Sequence, residues 1–196
     1  MNLLNDNYYR HVIFDLDGTL INSAPSILNS MGSAIKESGY TPLLSLDSSL
    51  IGPPLYETIA NVTGLTESCE LNLIVDRFKK QYDEKDCLDV TCFSGASSIL
   101  ERIKLDSNLI LATNKRLIPT EKILKHLEWD DMFNSIYTLD TFDPPLKNKT
   151  ELLRKVISEE EINTDEAVYI GDRLDDEFAA KENKISFIMV DWSYSI

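Results

Sequence analysis

Five short apolar runs stand out along the chain: His11–Asp15, Asn108–Thr113, Ser135–Leu139, Ala167–Gly171 and Ile185–Val190. Most are continuously apolar rather than alternating. That pattern predicts strands of a parallel sheet covered on both faces. Between the later runs, apolar residues recur at helical spacing over Ala96–Lys104, Ile118–Leu127, Thr150–Ser158 and Asp176–Asn183. Strand and helix alternate, so the expected class is α/β with a doubly wound parallel sheet.

The stretch 22–93 breaks this rhythm and shows no convincing central strand. A first helix is expected there, capped by Asn22 or Ser23, with Pro25 in its first turn and Gly39 at its end. A second follows Pro53-Pro54 and ends near Gly64. A third runs from about Glu67 to Asp86, with Leu71, Ile74, Val75, Phe78 and Tyr82 on one face. An all-helical insertion after the first strand reads as a lid or cap, so residues 1–21 and 94–196 form the core and 22–93 the cap.

Composition narrows the possibilities. The 196 residues are 43% hydrophobic and 27% charged, the balance of a soluble globular protein with a real core. No apolar run reaches the roughly 18 residues that span a bilayer, so no membrane association is expected. The opening MNLLNDNYYR lacks a basic segment leading into an apolar stretch. The three cysteines have no metal-ligand spacing and read as reduced thiols, so the expected location is cytoplasmic. The two histidines, His11 and His126, lie far apart in sequence, so no histidine-rich metal site is expected. A net charge of −14 opposes binding to nucleic acid. It also repels anionic substrates at long range, so a phosphate ligand would need local cations.

Three of the predicted strands run straight into polar residues: Asp15-Leu16-Asp17-Gly18-Thr19, Thr113-Asn114-Lys115 and Gly171-Asp172-Arg173. In an open parallel sheet, ligands bind beyond the carboxyl ends of the strands. These groups should therefore converge. Asp15 and Asp17, joined by Asp172 and Asp176, offer up to four carboxylates, which repel unless a cation sits among them. Hard oxygen donors of that kind suit Mg²⁺. A carboxylate also accepts phosphoryl groups. In this chemistry Asp15 attacks, a metal and a lysine offset charge, and the Thr113 hydroxyl holds phosphate oxygens. Asp17 protonates the leaving alcohol and later takes a proton from water.

These motifs resemble those of the haloacid dehalogenase-like superfamily. Asp15-Leu-Asp-Gly-Thr-Leu-Ile-Asn-Ser is similar to its first motif, Leu111-Ala-Thr113-Asn114-Lys115 to its second and Ile170-Gly-Asp172-Arg-Leu-Asp-Asp176 to its fourth. The phosphoglycolate phosphatase-like branch is suggested by Ile51-Gly52-Pro-Pro-Leu55 and Thr-Asn-Lys. The resemblance implies a Rossmann-like core with a helical cap, and a phosphatase acting on a small phosphorylated metabolite with Mg²⁺. It further implies Asp15 as nucleophile and metal ligand, and Asp17 as acid/base that lends its backbone carbonyl to the metal. Asp172 would bind the metal, with Asp176 in support. Thr113 and Asn114 would hold the phosphoryl group, and Gly52 would belong to a substrate-facing cap loop. The third-motif lysine is Lys147 or Lys149, and the spacing before Thr-Glu-Leu-Leu-Arg favours Lys149. Arg173, beside the metal site, is expected to point outward or to pair with Asp175. A monomer or a homodimer is compatible with this reading. A phosphomutase of the same fold and a non-catalytic relative are the rival readings.

Overall fold

A computed structural model describes residues 8–193 of the chain. The segment read above for a leader, and the residues past Ser193, lie outside that range apart from the last three residues of MNLLNDNYYR. Five strands form one parallel sheet: β1 (His11–Phe14), β4 (Asn108–Thr113), β5 (Ser135–Thr138), β6 (Ala167–Gly171) and β7 (Ser186–Met189). Their order across the sheet is β5-β4-β1-β6-β7. The chain steps outward from β1 to β4 and β5, then returns to lay β6 on the other side of β1. The reversal puts the end of β1 in a crevice flanked by β4 and β6, where open α/β sheets bind ligands.

The continuous apolar runs are explained by burial on both faces. Val12, Phe14, Leu109, Leu111, Val168 and Ile170 face one side, where they join the core formed with α4 (Ala96–Lys104) and α5 (Leu117–His126). Ile13, Ile110, Ala112 and Tyr169 face the other. There they meet Leu152, Leu153 and Val156 of α6 (Lys149–Glu159) and Ala179 and Ala180 of α7 (Leu174–Glu182). Each helix covers one sheet face, so the inner strands β4, β1 and β6 are buried on both sides, while the edge strands β5 and β7 stay partly exposed.

Between β1 and α4 the chain builds α1 (Ala24–Glu37), α2 (Leu55–Thr63) and α3 (Cys69–Gln81). Met31, Ile35, Ile59, Leu71, Ile74 and Phe78 pack the three together, continuous with the first sheet face. Pro25 lies in the first turn of α1. Ser23 holds the cap position there, and its carbonyl accepts the Ile27 N–H at 3.0 Å, but its side chain accepts no N–H of the helix. Its hydroxyl bonds Asp17 instead, at 2.5 Å, while Asn22 Oδ1 accepts the Ala24 N–H at 3.2 Å. The third helix is shorter in α-form than its apolar stripe suggests. It widens after Gln81 into a π turn over Tyr82–Asp86.

Both ends of this helical stretch are tied together. β2 (Ile21–Asn22) pairs antiparallel with β3 (Thr91–Cys92). No periodicity announces this ribbon, because two residues per strand are too few to show any, and Thr91 and Cys92 are both exposed.

Candidate active site

The site begins where β1 stops. The Asp15 N–H still donates to the Ile170 carbonyl at 2.9 Å, so sheet bonding fixes its backbone. The chain then turns: the Gly18 N–H bonds the Ile21 carbonyl at 2.9 Å, and Leu20 bonds back to Leu16. Gly18 has φ +85°, and a Cβ there would sit 2.4 Å from Asp172 Oδ2. Only glycine lets the first turn come this close to the end of β6.

Asp15, Asp172 and Asp176 bring carboxylate oxygens within 4.8 Å of one another. Asp15 is 4% exposed and Asp176 is 3% exposed. Burial, with repulsion from Asp176 and Asp17, pushes the Asp15 carboxyl up to about 6 although Lys149 pulls it down. Burial, then Asp15 and Asp176, raises Asp172 to about 7. Three carboxylates held this close together form a place that favours a cation. The all-oxygen donor set fits Mg²⁺. The Thr19 hydroxyl donates to Asp172 Oδ1 at 3.2 Å. Asp176 is held from behind: its Oδ2 accepts the N–H groups of Asp172 and Arg173 at 3.3 and 3.2 Å.

Lys149 is the first residue of α6, a helix capped by Asn148 through the Glu151 N–H. Its ammonium is buried, 2.7 Å from Asp15 Oδ1 and 3.3 Å from Asp176 Oδ1. It also donates to the Tyr169 hydroxyl at 2.7 Å. Burial works against the charge, but Asp15 and Asp176 hold the lysine above its ordinary value. Burial and the same carboxylates keep the Tyr169 phenol neutral. Lys147, by contrast, is exposed.

Asp17 faces a different way. Its carboxylate lies 3.0 and 3.1 Å from the Lys115 ammonium, and Ser23 donates to the same Oδ1. Lys115 also donates to the Tyr82 hydroxyl at 2.8 Å, so a residue of the helical stretch touches the Asp17 partner. Burial opposes the Lys115 charge, yet Asp17 and Tyr82 keep it above the usual lysine range. Thr113, 2% exposed, ends β4 and accepts the Lys115 N–H at 3.2 Å. Asn114 Nδ2 donates to the Gly52 carbonyl at 2.8 Å.

Arg173 behaves otherwise than expected. It neither points outward nor pairs with Asp175. Its Nη1 donates to the Ile51 carbonyl at 2.6 Å, and its Cδ lies where a Cβ on Gly52 would be, at 2.5 Å. The cause is the Gly52 loop itself, whose φ of +113° turns carbonyls toward the core. Core residues Asn114 and Arg173 thus grip the Ile51-Gly52 loop. Arg116 makes a further link, with both terminal guanidinium nitrogens donating to the Asp83 carboxylate.

Asp15, Asp17, Thr113, Asn114 and Gly52 all line one cavity of about 180 Å³ between sheet and helices. Lys149, Asp172 and Asp176 stand beside Asp15. Tyr82, Tyr169 and Arg116 have no role in the sequence reading, and Thr19 and Lys115 stand there only among the strand-end polar groups expected to converge. Lys115 carried a signal, since it follows Thr113-Asn114 at a strand end. Tyr82 and Tyr169 did not, because each sits in an apolar pattern and reads as packing.

A parallel sheet with a carboxylate cluster and a buried lysine at the end of its central strand defines an α/β enzyme of the acid-site type. The chain matches the haloacid dehalogenase-like hydrolases over residues 12–190 and belongs to that family. Its relatives place it beside the phosphatases of the phosphoglycolate phosphatase-like branch. A 5'-nucleotidase of Pseudomonas aeruginosa is 27% identical over 95% of this chain and 84% of its own. A phosphoglycolate phosphatase of Cereibacter sphaeroides is 28% identical over 93% and 85%. The tyrosine-protein kinase PtkA of Mycobacterium tuberculosis is 29% identical over 93% of this chain, which spans 62% of the kinase. The solved PtkA structure superposes with a TM-score of 0.80 at 27% identity, covering 97% of this chain and 87% of that one. Among the described residues, no helix is long and apolar enough to cross a membrane.

Proposed function

We propose that the chain is a Mg²⁺-dependent phosphomonoester hydrolase that carries the phosphoryl group on Asp15. The observation behind this reading is the buried contact of Asp15 with Lys149 beside Asp172 and Asp176. One carboxylate is thereby aimed at the cavity, with a cation behind it and two further acids beside it. Residues 22–93 act as a cap that closes over the ester, joined to the core by the Arg173, Asn114 and Arg116 contacts.

The steps follow from these positions. An Asp15 oxygen attacks phosphorus as the bond to the ester oxygen breaks, and Asp17 supplies the proton that the leaving alkoxide needs. Water then attacks the aspartyl-phosphate, Asp17 takes its proton, and phosphate leaves. Thr113 and Asn114 hold the transferring group, and Lys149 offsets its charge. Asp15, the Asp17 backbone carbonyl and Asp172 would hold Mg²⁺, with Asp176 in support. The bound ion would neutralise charge on the phosphate oxygens.

A phosphomutase of the same fold would make the same intermediate but shield it from water. A non-catalytic relative would make none. Release of p-nitrophenol from p-nitrophenyl phosphate, abolished by EDTA and restored by Mg²⁺, is the expected result. Absence of release with the metal present would support a non-catalytic binding protein.

A further inference from the structure

Resting on the phosphatase reading above, we propose that the leaving alcohol is small, uncharged and largely apolar, and that esters bearing a second anion are poor substrates. The cavity holds about 180 Å³, below the roughly 300 Å³ at the lower end of pockets for drug-sized ligands. Its floor is polar and comes from the core: Asp15, Asp17, Thr113, Asn114 and Lys115. Its roof comes from the helical stretch and is apolar: Ile27, Met31, Leu50, Leu55 and Phe78, beside Pro53 and Pro54.

The cations decide the charge of the substrate. Among the described residues, Lys115 and Arg116 are the basic side chains that line the cavity. Lys115 is already paired with both oxygens of Asp17. Arg116 is paired with both oxygens of Asp83. Arg173 does not line the cavity, and its Nη1 is taken by the Ile51 carbonyl. Two polar donors near the roof are engaged too. The Thr58 hydroxyl bonds the Pro54 carbonyl at 3.2 Å, and the Asn114 amide bonds the Gly52 carbonyl. A carboxylate on the leaving group would enter this space with no cation to meet it, and an unpaired buried charge is strongly disfavoured. An alkyl or aryl group would instead bury apolar surface against the roof. The overall charge of −14 acts in the same direction.

Hydrolysis of n-butyl phosphate, phenyl phosphate and phosphoglycolate by the intact protein with Mg²⁺ tests this. The expected kcat/KM for the two neutral-alcohol esters exceeds that for phosphoglycolate by about tenfold or more. Equal values, or a preference for phosphoglycolate, would overturn the inference and leave the phosphatase reading standing. If none of the three is hydrolysed while p-nitrophenyl phosphate is, the inference is overturned; if p-nitrophenyl phosphate is not hydrolysed either, the phosphatase reading fails. Calorimetric binding of the same esters then decides the inference, and tighter binding of phosphoglycolate, or binding of none, overturns it. A variant tests the cause. Leu55→Lys, at a half-buried roof position, is expected to raise the phosphoglycolate to n-butyl phosphate ratio about tenfold; an unchanged ratio in the folded variant would remove the roof as the selecting element.

Discussion

The Lys149 ammonium lies 2.7 Å from Asp15 Oδ1, although 134 residues separate them in the chain. The pair is buried, and Lys149 keeps Asp176 at 3.3 Å as a second partner. Asp15 and Lys149 are therefore not symmetric under mutation.

Removing the acid is the milder change for the fold. In Asp15→Asn the lysine still has Asp176 and the Tyr169 hydroxyl, and repulsion with Asp172 is relieved. The expected melting temperature is close to that of the unaltered chain, while turnover of p-nitrophenyl phosphate falls below about one-thousandth. Retained turnover would remove Asp15 as the phosphoryl acceptor.

Removing the base is costly on both counts. Lys149→Ala leaves Asp15 and Asp176 buried without their cation, a change worth about 3–5 kcal/mol. Lys147→Ala alters an exposed side chain and should stay within about 0.5 kcal/mol. Urea denaturation and turnover of both variants check this, and the reverse ranking would mean that the wrong lysine has been assigned.

The glycine of the first turn is a third point of control. Gly18→Ala places a methyl against the Asp172 carboxylate and holds a left-handed backbone that costs about 1–2 kcal/mol. Because Asp172 must move, kcat should fall about a hundredfold, more than the stability loss would suggest. A kcat near that of the unaltered chain in the folded variant would show that the spacing of Asp172 from this turn does not matter.

Proton binding gives a test that does not depend on turnover. Burial, before any other cause, lifts Asp15 to about 6 and Asp172 to about 7, above the usual carboxylate value of about 4. Groups raised on folding contribute stability at low pH, and that contribution is lost as pH rises through the folded values. Without metal, these two acids should weaken the protein between about pH 4 and pH 7. A cation among them removes that penalty, so the gain in melting temperature on adding Mg²⁺ should be larger at about pH 8 than at about pH 5. An equal gain at both, measured by thermal scans with Mg²⁺ and with EDTA, would argue against binding at this cluster.

Much of the site was legible because strands that run into acids place chemistry at a predictable edge of a parallel sheet. Asp15, Thr113 and Asp172 each follow an apolar run that both sheet faces bury. The choice between Lys147 and Lys149 also had a local cue, since Asn148 with Glu151 three residues on is a helix start. What escaped reading were contacts made across long gaps in sequence. Arg173 reaches Ile51 over 122 residues, and Lys115 reaches Asp17 over 98. Neither partner is marked by periodicity: the first contact depends on how the helical stretch settles over the sheet, and the second on the turns that follow β1 and β4.

The ribbon of β2 and β3 sets how that stretch is attached. Entry and exit strands leave the sheet side by side, so about seventy residues hang from a single paired stem. Such an attachment can be lengthened, shortened or exchanged beyond the stem without altering the register of a strand beneath it. New selectivity would then arise by grafting at the stem, while the acids and lysine below stay unchanged.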